Sequence, residues 1–194
     1  MPARPAFETI LCDGEHVVVL RGSLRAAVAL DNLPGGIPGA WESLMRQSYT
    51  GIRQVLLATA TDRAAAFFLL TRLSEQPLAP FIAKAQAALL ELMMHLFPPA
   101  EEAPDPSPSS KPTPIREYLT ELFKFATSVL EWPPSEVWQA SPAEIEAVLH
   151  ARLEQHEAME AAMPPEQRQA SLAAGQDPIF DRQGLRALKA RHNA

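Results

Sequence analysis

Cysteine is almost missing from this chain. Cys12 stands alone among 194 residues, which excludes an internal disulfide and any cysteine-based metal cluster and suits a reducing cytoplasm. Long apolar runs are missing as well. The longest stretch without a charge is ten residues, Asn32 to Trp41, well short of the roughly 18 apolar residues a membrane span requires. Met1 to Phe7 holds Arg4 with no apolar stretch behind it, so neither a signal peptide nor a membrane association is expected. Basic clusters are the third absence. Residues 1–99 carry eight Lys plus Arg and eight Asp plus Glu, residues 100–194 carry nine against fifteen, and the second half therefore holds the whole net charge of -6. A protein that grips phosphate backbones shows a basic face interleaved with aromatics. Neither half has one, and nucleic acid is not an expected partner.

What the chain does have is apolar residues, at 47 per cent, enough to build a core. Phe7 to Asp13 and His16 to Arg21 are short β-rich runs around Asp13-Gly14, which predicts a hairpin with a type I′ turn. This is the only strong strand signal. Ser23 can cap a helix that begins at Leu24, holds Ala27, Val28 and Leu30, and ends before Pro34-Gly35-Gly36. Helical patterns recur around Trp41 to Gln47, Ile52 to Ala60, Asp62 to Leu73 and Pro80 to Phe97. In the last of these, Pro80 is the expected start, and Ile82, Leu89, Leu90, Met93, Met94 and Phe97 are spaced for a broad buried face. Two readings of Met93 and Met94 stay open: ordinary core packing, or an adaptable groove for a partner.

From Pro98 to Pro114 seven of seventeen residues are proline, and the others are mostly small or charged. Such a composition buries little apolar surface and predicts an extended linker and a domain boundary. Beyond it, Ile115, Leu119, Leu122, Phe123, Val129 and Leu130 recur at steps of three, four and seven, the stripe of a helix with one buried face. That helix has to stop near Glu131, because Pro133 disfavours helical geometry at Trp132. Pro133-Pro134 then offers a first turn for a short helix carrying Val137 and Trp138. Ser141-Pro142-Ala143-Glu144 is a capping box with proline at the first helical position, so a third helix follows, burying Ile145, Val148, Leu149 and Leu153 and running to Ala162. Pro164-Pro165 ends it. Gln167 to Asp177 predicts a loosely packed segment before a closing helix from Asp181 to Arg191. The fold class is thus mainly α: a small α+β amino-terminal domain, hairpin plus helices, over residues 1–97, a linker over 98–114, and an all-α carboxy-terminal domain over 115–194.

Nothing in the sequence advertises catalysis. Glu91 with His95 and His150 with Glu154 each sit four apart on a predicted helix, as two metal ligands can, but neither pair has a visible third ligand, and solvated surface pairs are the expectation. Cys12 lies in an apolar strand without a nearby base, which predicts a buried small side chain. Gly35-Gly36 lacks a following lysine and reads as a bend rather than a phosphate cradle. No metal and no cofactor is expected, and the chain reads as a non-enzyme.

The run from Leu130 to Ile145, Leu-Glu-Trp-Pro-Pro-Ser-Glu-Val-Trp-Gln-Ala-Ser-Pro-Ala-Glu-Ile, resembles the signature of a small tail assembly chaperone family of bacteriophages and gene transfer agents. In that family a helix ends in a Gly-Leu or Gly-Trp pair, a proline follows, then an aromatic-Trp pair, then Thr-Pro-x-Glu-Leu. Trp138, Pro142 and Glu144 fit this pattern. Glu131 stands where glycine is usual, Val137 where an aromatic is usual, and Ser141 where threonine is usual. The closing stretch Asp181 to Arg191 is similar to the family's terminal Leu-x-x-Leu-x-x-Arg helix. In the first half, Val17-Val18-Val19-Leu20, Ser23-Leu24-Arg25-Ala26-Ala27, Gly35-Gly36-Ile37-Pro38 and Ile52-Arg53-Gln54-Val55-Leu56 follow one another as hairpin, helix, glycine-rich bend and helix. That order resembles the amino-terminal tail assembly chaperones of long-tailed phages, and the whole chain looks like their extended, two-domain form.

The resemblance implies that the first domain coats the tape measure protein and that the second recruits tail tube protein. It also implies work in the host bacterial cytoplasm and absence from the mature particle. The hairpin and the methionine-bearing helix are expected to support self-association or capture of a helical client. The partner-binding candidates are Phe123, Trp132, Val137, Trp138 and Ile145 in the second domain, with Met93 and Met94 in the first. For Trp132 and Trp138 a core role and an interface role both remain open, since an indole can pack inward with its edge at the surface. The rival expectation is a small cytoplasmic adaptor or regulatory protein unrelated to tails.

Overall fold

A computed structural model describes residues 7–73, 76–97 and 114–162. The chain opens with an antiparallel hairpin, β1 (Glu8–Asp13) and β2 (His16–Arg21), in the register Asp13↔His16, Leu11↔Val18 and Glu8↔Arg21. The two turn residues are therefore Gly14 and Glu15. Only Gly14 has a positive φ, 60°, so the turn follows the type II′ pattern, with glycine at the first central position, rather than the predicted type I′. Leu11, Val18 and Leu20 alternate onto the inner face and are buried, while Ile10, Cys12 and Val17 point outward. Cys12 is exposed, a correction to the expected burial, because strand alternation puts it on the face that nothing covers.

The helices follow in sequence order. Helix α1 (Leu24–Asp31) starts at the expected cap, Ser23, whose Oγ accepts from the Ala26 N–H at 3.2 Å. Helix α2 (Gly36–Met45) begins five residues before the predicted start at Trp41, with Gly35 in the left-handed region at φ 80° ahead of it. The glycine pair is a bend, as expected, and Pro38 falls in the first turn, where its missing N–H has no intrahelical partner to lose. Helices α3 (Tyr49–Thr59) and α4 (Arg63–Arg72) are capped by Ser48 and Asp62. Helix α5 (Leu78–Met94) begins two residues before Pro80.

The buried stripe of α5 is Phe81, Ala85, Leu89, Leu92 and Met93, continued by Leu96. Of the residues expected there, Leu89 and Met93 are buried, Ile82, Leu90 and Phe97 are partly buried, and Met94 is exposed. The helix is turned by about one residue from the predicted setting. It is apolar nearly all round, so its sequence pattern alone does not choose the side that meets the core.

Helices α6 (Ile115–Ser128), α7 (Pro134–Gln139) and α8 (Pro142–Ala162) follow the predicted breaks. One apolar core includes Leu24, Ala27 and Leu30 from α1, Leu89 and Leu92 from α5, and Leu119, Leu122, Val137 and Ile145 from the last three helices. Helix α1 packs against both α6 and α7. Most of the 98–114 segment, the segment from Gln167 to Asp177 and the closing helix from Asp181 to Arg191 lie outside the described residues.

Candidate functional site: the corner between α6, α7 and α8

Two chain reversals within twelve residues build the corner. Helix α6 gives way at Val129, where the Val129 and Leu130 N–H groups both donate to the Phe125 carbonyl, and the Trp132 N–H reaches back to Ala126 at 3.1 Å. This reversal puts Glu131 in the left-handed region at φ 56°. Pro133 and Pro134 then start α7, since proline is pre-set for a first turn. The second reversal is the capping box. The Ser141 Oγ accepts from the Glu144 N–H at 3.0 Å while the Glu144 carboxylate accepts from the Ser141 N–H at 2.7 Å, satisfying two donors that a helix start leaves open.

The corner is fixed from both sides. Phe123 of α6 and Trp138 of α7 pack ring to ring, with centroids 4.9 Å apart and planes inclined by 36°. Beneath them Val137 and Ile145 are fully buried. On the far side, the Ala140 carbonyl accepts from the Leu24 N–H at 2.6 Å, tying the corner to the start of α1. Arg116 of α6 reaches the other end of that helix, donating to Asp31 at 3.2 Å and to Asn32 at 2.8 Å.

Within this unit, Tyr118 of α6 and Glu146 of α8 are both buried, and the Tyr118 hydroxyl donates to the Glu146 carboxylate at 2.8 Å. Burial foremost, then the neighbouring Glu146 charge and its hydrogen bond, raises the Tyr118 hydroxyl pKa far above its ordinary value. The phenol stays a donor. Sequence reasoning missed this pair. Its signal was a glutamate one step along from buried Ile145, on the inward side of a helix.

The structure brings together Phe123, Trp138, Val137 and Ile145 of the expected partner-binding residues. Val137 and Ile145 are wholly in the core, whereas Phe123, Trp132 and Trp138 are partly buried and keep ring area at the surface. Both indoles therefore pack against the core while remaining reachable. Met93 and Met94 belong to α5 and divide, Met93 buried and Met94 68% exposed. Glu91, His95 and Glu154 are exposed, and among the described residues no group of three or more His, Cys, Asp or Glu side chains is placed to hold a metal ion. No described helix is long and apolar enough to cross a membrane.

Residues 118–164 match the family of phage tail assembly chaperone proteins, TAC. The match spans the corner: it begins at buried Tyr118, contains both indoles and the capping box, and follows α8 to its end. The resemblance read from Trp138, Pro142 and Glu144 is borne out over this stretch. No curated protein and no solved structure matches the chain.

Proposed function

We propose that this protein is a non-enzymatic tail assembly chaperone that holds the tape measure protein and brings tail tube subunits to it during assembly of a long tail. The family match over 118–164 carries this reading, because it falls on the corner where Phe123, Trp132 and Trp138 present aromatic area on a rigid frame. Rigid aromatic anchors lose little entropy on binding and are enriched among residues that dominate interface energy. The work is divided between the hairpin-bearing half, which takes the tape measure protein, and the corner, which takes the tube protein. The proline-rich 98–114 stretch joins the two halves in sequence, and their shared core keeps one bound partner near the other. The bacterial cytoplasm is where such assembly takes place.

Co-expression tests the reading. The full chain, produced together with a tail tube protein and a tape measure protein of the same long tail, should keep the tape measure protein soluble and co-purify with both. If the tape measure protein precipitates equally with and without this chain, and no tube protein is retained, the reading is wrong.

A further inference from the structure

Helix α4 is apolar on two sides. One side, Ala66, Leu69 and Leu70, is buried in the core. On the other, Ala64, Phe67, Phe68 and Thr71 recur at i, i+3, i+4 and i+7 and are exposed, with Phe67 and Phe68 at 55% and 54%. Two adjacent phenylalanines half in water form a patch of the kind that marks a binding surface. Three arginines flank it beside the Asp62 carboxylate, and the Phe68 ring meets the His16 ring of β2 edge to face with centroids 5.1 Å apart. The Arg53 guanidinium of α3 lies 5.9 Å from the centre of the Phe67 ring, and Arg63 and Arg72 sit at either end of α4. Among the described residues none of the three arginines has a carboxylate within ion-pair distance. The nearest acid in sequence, Asp62, is engaged as the cap, accepting from the Ala64 and Ala65 N–H groups at 2.8 and 3.1 Å.

We infer that the exposed face of α4 is a docking surface for an amphipathic helix whose apolar stripe is flanked by carboxylates. The exposed row from Ala64 to Thr71 runs roughly 11 Å along the helix axis, about two turns, enough for a short helix-on-helix contact. Arginine and phenylalanine are among the residue types enriched in interfaces, and guanidinium groups that have no carboxylate partner among the described residues favour, around an apolar strip, a partner of opposite charge. The inference is independent of the α6–α8 corner and of which protein supplies the helix.

The probe is a synthetic helix of about 18 residues with a leucine stripe flanked by glutamates, beside a twin with lysines in place of the glutamates, each followed by fluorescence anisotropy. The glutamate helix should bind the full chain roughly tenfold or more tighter than the lysine helix, and its binding should weaken with added salt. The double variant Phe67→Ser/Phe68→Ser should lose at least about tenfold in affinity, and Arg53→Gln/Arg63→Gln should erase the preference for glutamate. All these side chains are exposed or lie at the surface, and unchanged melting curves will show that the variants fold. Trp138→Ala should leave this binding unaltered. Equal binding of the two helices, or undiminished binding by the folded serine variant, overturns the inference. So does a dimer of the wild-type chain that the serine variant dissolves, or capture by anionic phosphatidylglycerol vesicles that the glutamate helix does not compete away.

Discussion

The backbone N–H of Leu24, first residue of α1, donates to the carbonyl of Ala140, last residue before the α8 capping box, at 2.6 Å. The donor is one of the four that a helix start leaves without an internal partner, and here a carbonyl from far along the chain fills the role. Arg116 holds the opposite end of α1 through Asp31 and Asn32. Helix α1 is thus gripped at both ends by the segment that carries the family match. The exposed Arg116 pair contributes little by itself. The buried Leu24, Ala27 and Leu30 contribute more, since each fully buried leucine is worth about 1.5 to 3 kcal/mol relative to exposure.

That contact predicts the behaviour of a cut chain. A protease site engineered within residues 98–113 and then cleaved should leave two fragments that co-elute under native conditions and part only in denaturant. Fragments that separate on a native column would show that α1 and the corner do not hold each other.

Glu131 supplies a stability test. It adopts φ 56°, a conformation that costs a side-chain-bearing residue roughly 1 to 2 kcal/mol, at the position where the resembled family carries glycine. Glu131→Gly removes that strain and loosens the unfolded chain, so the net gain should be up to about 1 kcal/mol. Thermal melting checks it, and a lowered melting temperature would mean that the glutamate side chain stabilises more than its backbone strains.

Ser141→Ala removes one half of the capping box and should cost about 1 kcal/mol, within the 0.5 to 2 kcal/mol range of lost caps. Ser141→Thr should restore nearly all of it, because threonine offers the same oxygen. Urea unfolding of the two variants side by side makes the comparison, and equal losses in both would point to packing around Ser141 rather than to its hydroxyl.

The Tyr118–Glu146 pair predicts an alkaline weakness. The Tyr118 pKa is raised on folding, so its contribution is fully present below the unfolded-state value of 10.0 and is lost as pH climbs above it. Above that value stability should fall by about 1.4 kcal/mol per pH unit from this group. Tyr118→Phe should remove that part of the slope while lowering stability at neutral pH by about 1 to 3 kcal/mol, since Glu146 loses a buried donor. Melting curves at pH 8, 10 and 11 for both proteins decide it; identical slopes would remove Tyr118 from the effect.

The local breaks were legible in the sequence because each is made by residue chemistry acting over a few positions. Ser23, Asp13-Gly14, Pro133-Pro134 and the Ser141–Glu144 box mark boundaries that the structure keeps to within a residue or two. Faces were less legible. Helix α5 is apolar on too many sides for its pattern to choose one, and α4 is apolar on both, so neither the inward setting of Phe81 nor the outward setting of Phe67 and Phe68 could be read. Cys12 faces outward because a two-stranded hairpin has only one face against the core, and its apolar neighbours in the strand do not reveal which face that is. The grip of Ala140 on Leu24 was beyond reach, since a backbone carbonyl leaves no trace in residue type. At the corner, sequence identified the aromatic residues but not how they divide, with Val137 and Ile145 inside and Phe123, Trp132 and Trp138 at the boundary.

The most direct test of the account is the affinity of the tail tube protein for the full chain and for its Trp138→Ala variant, measured by calorimetric titration with a melting curve for each. Trp138 is only partly buried against Phe123, so the variant should stay folded. It should bind tube protein about 2 kcal/mol more weakly, roughly thirtyfold, as expected for an interface hot spot. A folded variant that binds as tightly as the wild type, or a wild-type chain that binds no tube protein at all, would contradict the assignment of the corner.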